Sequence, residues 1–142
     1  MNQIILASHG NLAKGMQDTL NMIVGEIESV KAFSSYRDED ENIRISVENV
    51  IKECYGKKEI YILTDIFGGS VNNEMMSLLN DYPKIHIIAG MNLGLVISIA
   101  TSNEITEEML NDFIKESKET VIYCNQIINE SIRRKDEDLW LN

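Results

Sequence analysis

The chain is short of proline, cysteine, aromatic residues and positive charge, and each shortage narrows what it can be. A single proline, Pro83, and no Gly/Ser-rich stretch or fixed-period repeat leave no segment that reads as a linker between domains. The two cysteines, Cys54 and Cys124, lack C-x-x-C spacing, which argues against a disulfide framework or a thiolate cage and leaves two buried free thiols as the expectation. Basic residues number 13 against 23 acidic ones, a formal charge of −10. Nucleic-acid binding relies on clustered Lys and Arg. The one such cluster, Arg133-Arg134-Lys135, runs straight into Asp136-Glu137-Asp138, so an acidic surface meeting a basic protein partner is the better reading. No apolar run approaches the ~20 residues of a membrane-spanning helix, and no basic region followed by a long apolar stretch opens the chain. The expectation is a cytoplasmic protein with no membrane insertion.

What is present is a regular alternation of hydrophobic period. At 142 residues the chain can bury a core without disulfide or metal. Ile4-Ile5-Leu6-Ala7 reads as a buried strand ending at Ser8-His9-Gly10, and Leu12, Met16, Leu20, Ile23 and Val24 then share one helical face up to Gly25. Val30 to Phe33 is a weaker strand. Beyond the acidic loop Asp38-Glu39-Asp40-Glu41, the positions Ile43, Val47, Val50, Ile51 and Cys54 predict a second helix, and Ile60 to Asp65 a third strand. The turn Phe67-Gly68-Gly69-Ser70 opens a third helix whose methionines, Met75 and Met76, read as packing. A strand over Ile85–Ala89, a helix over Leu93–Ala100, a helix over Thr106–Ser117 and a last strand over Thr120–Cys124 complete the pattern. This is an α/β chain: a three-layer αβα arrangement around an open, mainly parallel sheet of four strands, with the late strand expected as an antiparallel edge. Residues 1–125 form the expected unit and 126–142 a helical tail.

In an open parallel sheet, ligands bind beyond the carboxyl ends of the strands where strand order reverses. Those ends carry Ser8-His9-Gly10, Thr64-Asp65-Ile66-Phe67-Gly68-Gly69-Ser70 and Gly90-Met91-Asn92. If the first and third strands are neighbours, His9 and Asp65 face one crevice. A carboxylate that accepts a hydrogen bond from one imidazole nitrogen fixes the tautomer and leaves the other nitrogen bare as a nucleophile. Gly68, Gly69 and Ser70 would supply amides and a hydroxyl for an anion at the start of a helix. Phe67, Met91 and Asn92 are candidates for the pocket rim or a partner contact. Each part also has a plain structural role: His9 as a hydrogen-bonded strand end, Asp65 as a turn cap, Ser70 as an N-cap. His86, flanked by isoleucines, reads as a core or helix-facing histidine without chemistry. No Walker loop, G-x-G-x-x-G or cluster with metal-ligand spacing is present, so neither cofactor nor metal is expected.

Taken together, Ser8-His9-Gly10-Asn11-Leu12-Ala13-Lys14-Gly15, Thr64-Asp65-Ile66-Phe67-Gly68-Gly69-Ser70 and Gly90-Met91-Asn92-Leu93 resemble the enzyme IIA domain of the mannose/fructose/sorbose family of the bacterial sugar phosphotransferase system. The resemblance implies that His9 accepts a phosphoryl group from the carrier HPr and passes it to a IIB component, with Asp65 paired to His9 and Ser70 contacting the phosphoryl group. It also implies a homodimer in which Thr120–Cys124 is an exchanged edge strand. Val71 and Gly94 stand where the family commonly has proline, which loosens the start of the third helix and the turn near Met91 and Asn92. Two alternatives accompany this reading: the similar phosphoryl-donating domain of dihydroxyacetone kinase, and a regulatory or binding module in which His9 is never phosphorylated.

Overall fold

A computed structural model describes residues 1–36 and 42–141, with the side chains beyond Leu139 left aside; the acidic loop Asp38–Glu41 lies outside the described residues. The strands are β1 (Asn2–His9), β2 (Val30–Ser35), β3 (Glu59–Thr64) and β4 (His86–Ala89). The helices are α1 (Leu12–Val24), α2 (Ile43–Cys54), α3 (Ser70–Ser77, continued by a 3-10 turn over Leu78–Asn80), α4 (Leu93–Ala100), α5 (Glu107–Lys118) and α6 (Cys124–Leu141). The strands pair in the order β2-β1-β3-β4, all parallel.

Both faces of this sheet are covered, which is why its strands read as unbroken apolar runs. Ile5, Ala7 and Ile62 point to one side, into a core shared with Val47 and Ile51 of α2 and Val71 and Met75 of α3. Ile4, Leu6, Tyr61 and Leu63 point to the other, against Ala13 and Leu20 of α1 and Leu95, Val96 and Ile99 of α4, with α5 adding Leu110, Phe113 and Ile114. The period-two alternation of the strands thus divides one sheet between two helical layers.

Several expectations need correction. Leu12 and Ile23 are 50% and 55% exposed, because the buried line of α1 runs through Ala13, Met16, Leu20 and Val24 and these two lie about a quarter turn to one side. Met76 is exposed while Met75 is buried. Cys54 is buried but Cys124 is exposed, since α6 projects from the domain with no buried side chain among those described. His86 is half-exposed on the outer strand of the sheet, stacked on Tyr61 with centroids 4.6 Å apart. Within this single chain Thr120–Tyr123 pairs with no strand, and α6 begins at Cys124, two residues before the expected tail. Val121, Ile122 and Tyr123 are exposed, and an isolated extended segment has neither a face to bury nor a partner for its amides.

Candidate functional site

The strand order places the site. From β1 the chain steps outward to β2 on one side, and β3 and β4 lie on the other, so the reversal falls between β1 and β3. Register then aligns the strand ends: Ala7 pairs with Thr64, Thr64 with Ala89, and His9 with Ser35. The residues just beyond, His9 and Asp65, meet at that crevice. Gly10 follows His9 at φ +56°, a left-handed conformation that suits glycine, and its amide donates to the Ser35 carbonyl at 2.9 Å. Buried Ser8 accepts from the Ala13 amide at 2.7 Å and anchors the start of α1.

His9 is held at both ring nitrogens. Its Nδ1 lies 2.7 Å from Asp65 Oδ2 and its Nε2 lies 2.8 Å from Ser70 Oγ. Asp65 Oδ2 also accepts from the His9 backbone amide at 2.8 Å, and Oδ1 accepts from the Ile66 amide at 2.9 Å. Burial alone would raise the Asp65 carboxyl, but these donors outweigh it and hold its pKa below the usual value. An ionised Asp65 accepts the proton of Nδ1. The neutral ring is then bare at Nε2, where it accepts from the Ser70 hydroxyl. The Asp65 side chain is 10% exposed and that of His9 51%, so the orienting group is enclosed while the reactive edge faces solvent.

The loop below the ring is shaped by glycine at two positions. Gly68 has φ +82°, and a Cβ on Gly69 would stand 2.8 Å from Ile66 Cγ2 and 3.6 Å from His9 Cε1. Gly69 is the N-cap of α3 and Ser70 its first residue, so the unpaired amides of that helix open beside the Ser70 hydroxyl.

The structure brings His9, Asp65, Gly69 and Ser70 together, with Gly68 one residue behind. Phe67 is 76% exposed on the same loop beside Ile66 at 62%, giving an apolar rim. Met91 and Asn92 instead hold the scaffold. The Gly90 and Met91 amides donate to the Thr64 carbonyl at 3.1 and 2.9 Å, and Asn92 caps α4 by accepting from Leu95 at 3.0 Å while donating to Thr120 Oγ1 at 3.0 Å. Asn72 is the residue that motif reading misses. It is buried, donates to Thr64 Oγ1 at 2.8 Å and accepts from the Gly68 amide at 3.1 Å, tying the loop to the end of β3. A polar residue between buried Val71 and Met75 was the available signal. On the far rim the Tyr36 hydroxyl donates to Asn11, and the Lys14 ammonium sits 5.6 Å from the Tyr36 ring centroid. Among the described residues, no group of three or more His, Cys, Asp or Glu is placed to hold a metal, and no helix is long and apolar enough to cross a membrane.

Comparison with known proteins bears on this geometry. A family model described as the PTS system fructose IIA component matches residues 3–121. The fructose-specific EIIA component of Bacillus subtilis (strain 168) is 22% identical over 141 residues, covering 97% of this chain and 96% of its own. The sorbose-specific EIIA component of Klebsiella pneumoniae is 30% identical over 100 residues, covering 70% of this chain and 73% of its own. Among solved structures, the mannose/sorbose-specific IIA subunit of the phosphotransferase system from Enterococcus faecalis aligns with a TM-score of 0.75 at 27% identity, covering 85% of this chain and 92% of that one.

Proposed function

Because the chain belongs to the IIA family of the sugar phosphotransferase system, and so is a phosphotransferase that carries phosphoryl groups for sugar uptake, we propose that His9 is its phosphoryl-carrying residue. The observation that carries this reading is the continuous line Asp65–His9–Ser70, with each ring nitrogen committed to a different partner. Nε2 attacks the phosphorus of a phosphohistidine donor, HPr. The donor's N–P bond breaks with its electron pair staying on the donor ring, and a new N–P bond forms on Nε2. The Nδ1 proton stays in place, and the positive charge that develops on the ring is balanced by Asp65. Ser70, freed from donating to the ring, turns its hydroxyl to a phosphoryl oxygen, and the first amides of α3 face the others. Transfer onward to a IIB component runs the same steps in reverse. Exchange between two phosphohistidines is nearly balanced, so the site has mainly to supply position and charge complementarity.

Residues 1–125 are the carrier unit in this reading and 126–142 an appended tail. The exposed Ile66 and Phe67 suit contact with a protein donor, and the acidic charge suits a basic one, so association should weaken with added salt. HPr as donor implies a cytoplasmic setting. The relatives above are sugar-system components, which favours this reading over delivery to dihydroxyacetone kinase. We also propose a homodimer in which Thr120–Cys124 pairs with the outer edge of β4 of a second copy; sedimentation at micromolar concentration tests it, and a monomer rejects it. For the carrier itself, the chain is incubated with phosphoenolpyruvate, enzyme I and HPr and weighed intact. An acid-labile phosphate in the wild type, missing in His9→Ala, is the expected result; no added mass on the wild type overturns it.

A further inference from the structure

The opposite pole of the sheet gathers positive charge in a chain that is otherwise strongly acidic. Three loops or strand starts contribute: Lys57 and Lys58 precede β3, Lys84 precedes β4, and Lys31 lies near the start of β2. With β3 six residues long, this pole lies about 20 Å from the strand ends that carry His9. Lys57, Lys58 and Lys84 line one hollow of about 260 Å³ together with Tyr55, Ile60 and Glu59. Lys57 and Lys58 also wall an adjoining hollow of about 370 Å³ in which Lys31 stands with Glu28 and Glu53, so the excess of positive charge lies in the first hollow. No carboxylate among the described residues forms an ion pair with any of these lysines. Glu59, the acid that shares the first hollow, is instead engaged at 3.0 Å by His86 Nε2.

Clustering ammonium groups in excess of their counter-charge is unfavourable, and a bound dianion relieves it. In the first hollow three lysines stand against the one carboxylate of Glu59, a local excess of positive charge. The floor is apolar, from Ile60 and Ile85, both buried. Tyr55 adds a donor: its oxygen accepts from the Lys84 amide at 3.2 Å, which leaves its own proton to give. The turn that presents Lys57 and Lys58 is set by Gly56 at φ +83°, with both lysine amides returned to the Cys54 carbonyl at 2.9 and 3.0 Å. The lysine side chains are therefore carried on a closed turn.

We propose that this hollow is a binding site for a small phosphomonoester dianion, whose phosphate is held by Lys57, Lys58, Lys84 and the Tyr55 hydroxyl and whose carbon skeleton lies on Ile60 and Ile85. The site is separate from the His9 crevice and needs no phosphoryl donor to be observed. The test uses the full chain, isotopically labelled, titrated at low ionic strength with glucose 6-phosphate, inorganic phosphate and glucose while backbone amide resonances are followed. Glucose 6-phosphate should shift the amides of Lys57, Lys58 and Lys84 saturably, at least threefold more tightly than inorganic phosphate, and glucose should shift none of them. The double substitution Lys57→Gln/Lys84→Gln, at two exposed positions, should weaken binding tenfold or more with His9 phosphorylation unchanged. Shifts centred on His9 and Ser70, equal binding of inorganic phosphate, or undiminished binding by the double variant would each overturn the assignment.

Discussion

His9 and His86 each stand beside a carboxylate, 2.7 Å from Asp65 and 3.0 Å from Glu59 respectively. The distances are nearly equal, but the surroundings differ. Asp65 is enclosed, accepts three hydrogen bonds and has its pKa held low; Glu59 is 63% exposed. His9 meets its acid through Nδ1 and turns Nε2 toward a hydroxyl and the amides of a helix start, whereas His86 spends Nε2 on its acid and lays its ring on Tyr61. The hollow beside His86, about 250 Å³, is walled by side chains of α5 such as Leu110 and Asn111 and presents no glycine loop. A histidine–carboxylate pair is thus no sufficient sign of a nucleophile. What the second nitrogen faces decides it.

The sharpest way to break this contrast is to remove each ring. Intact-mass measurement in the phosphoenolpyruvate system should find no phosphate on His9→Ala and wild-type loading on His86→Ala. Loss in both would place the distinction elsewhere. Next in size is the carboxylate: Asp65→Asn should slow phosphoryl acceptance on the order of 10²- to 10⁴-fold, because an amide no longer selects the tautomer with a bare Nε2. Rapid-quench rates for Glu59→Gln should stay within about threefold of wild type, since an exposed partner contributes little. Ser70→Ala should follow at roughly 10²-fold, the usual cost of one donor aimed at a developing charge.

The unequal legibility of the two regions has a physical cause. Strands buried on both faces leave long apolar runs, so β1 and β3, and with them the positions of His9 and Asp65 at their ends, follow from the sequence. The register that aligns Ala7 with Thr64 brings the two side chains together. The face of α1 was misjudged because Leu12 and Ile23 differ from buried neighbours by rotation about the helix axis, not by residue type. A strand over Thr120–Cys124 was composed like one, but a strand exists only beside another, and no local pattern says which chain provides it. Asn72 escaped because its two partners, Thr64 and Gly68, lie on the strand end and the loop. The lysine hollow draws on three separate strand approaches and leaves no motif at all.

A smaller effect tests how the loop is held. Asn72→Ala leaves the buried Thr64 hydroxyl without its partner and frees the Gly68 amide on the exposed loop, which should cost about 1–3 kcal/mol. Thermal unfolding should register this as a fall in Tm of several degrees, and phosphorylation should slow as Gly69 and Ser70 lose their anchor. An unchanged Tm would mean that α3 alone positions the loop.

The smallest expected effect is the acid-side pH dependence that Asp65 brings to stability. Its pKa in the folded chain lies below the usual carboxyl value, because hydrogen bonds from His9 and Ile66 outweigh the opposing effect of burial. A carboxyl with a depressed folded pKa contributes stability that is complete above its unfolded value, near 3.9, and is lost as pH falls through the lower folded value. The margin of stability that the wild type gains over Asp65→Asn from this carboxylate should therefore shrink as pH falls below about 4 and the wild-type carboxyl takes up its proton. Denaturant unfolding of the two chains at a series of pH values measures that margin directly. A margin that stays flat into acid, or widens there, would mean that the hydrogen bonds to His9 do not favour the ionised form, and the selection of a bare Nε2 would lose its basis.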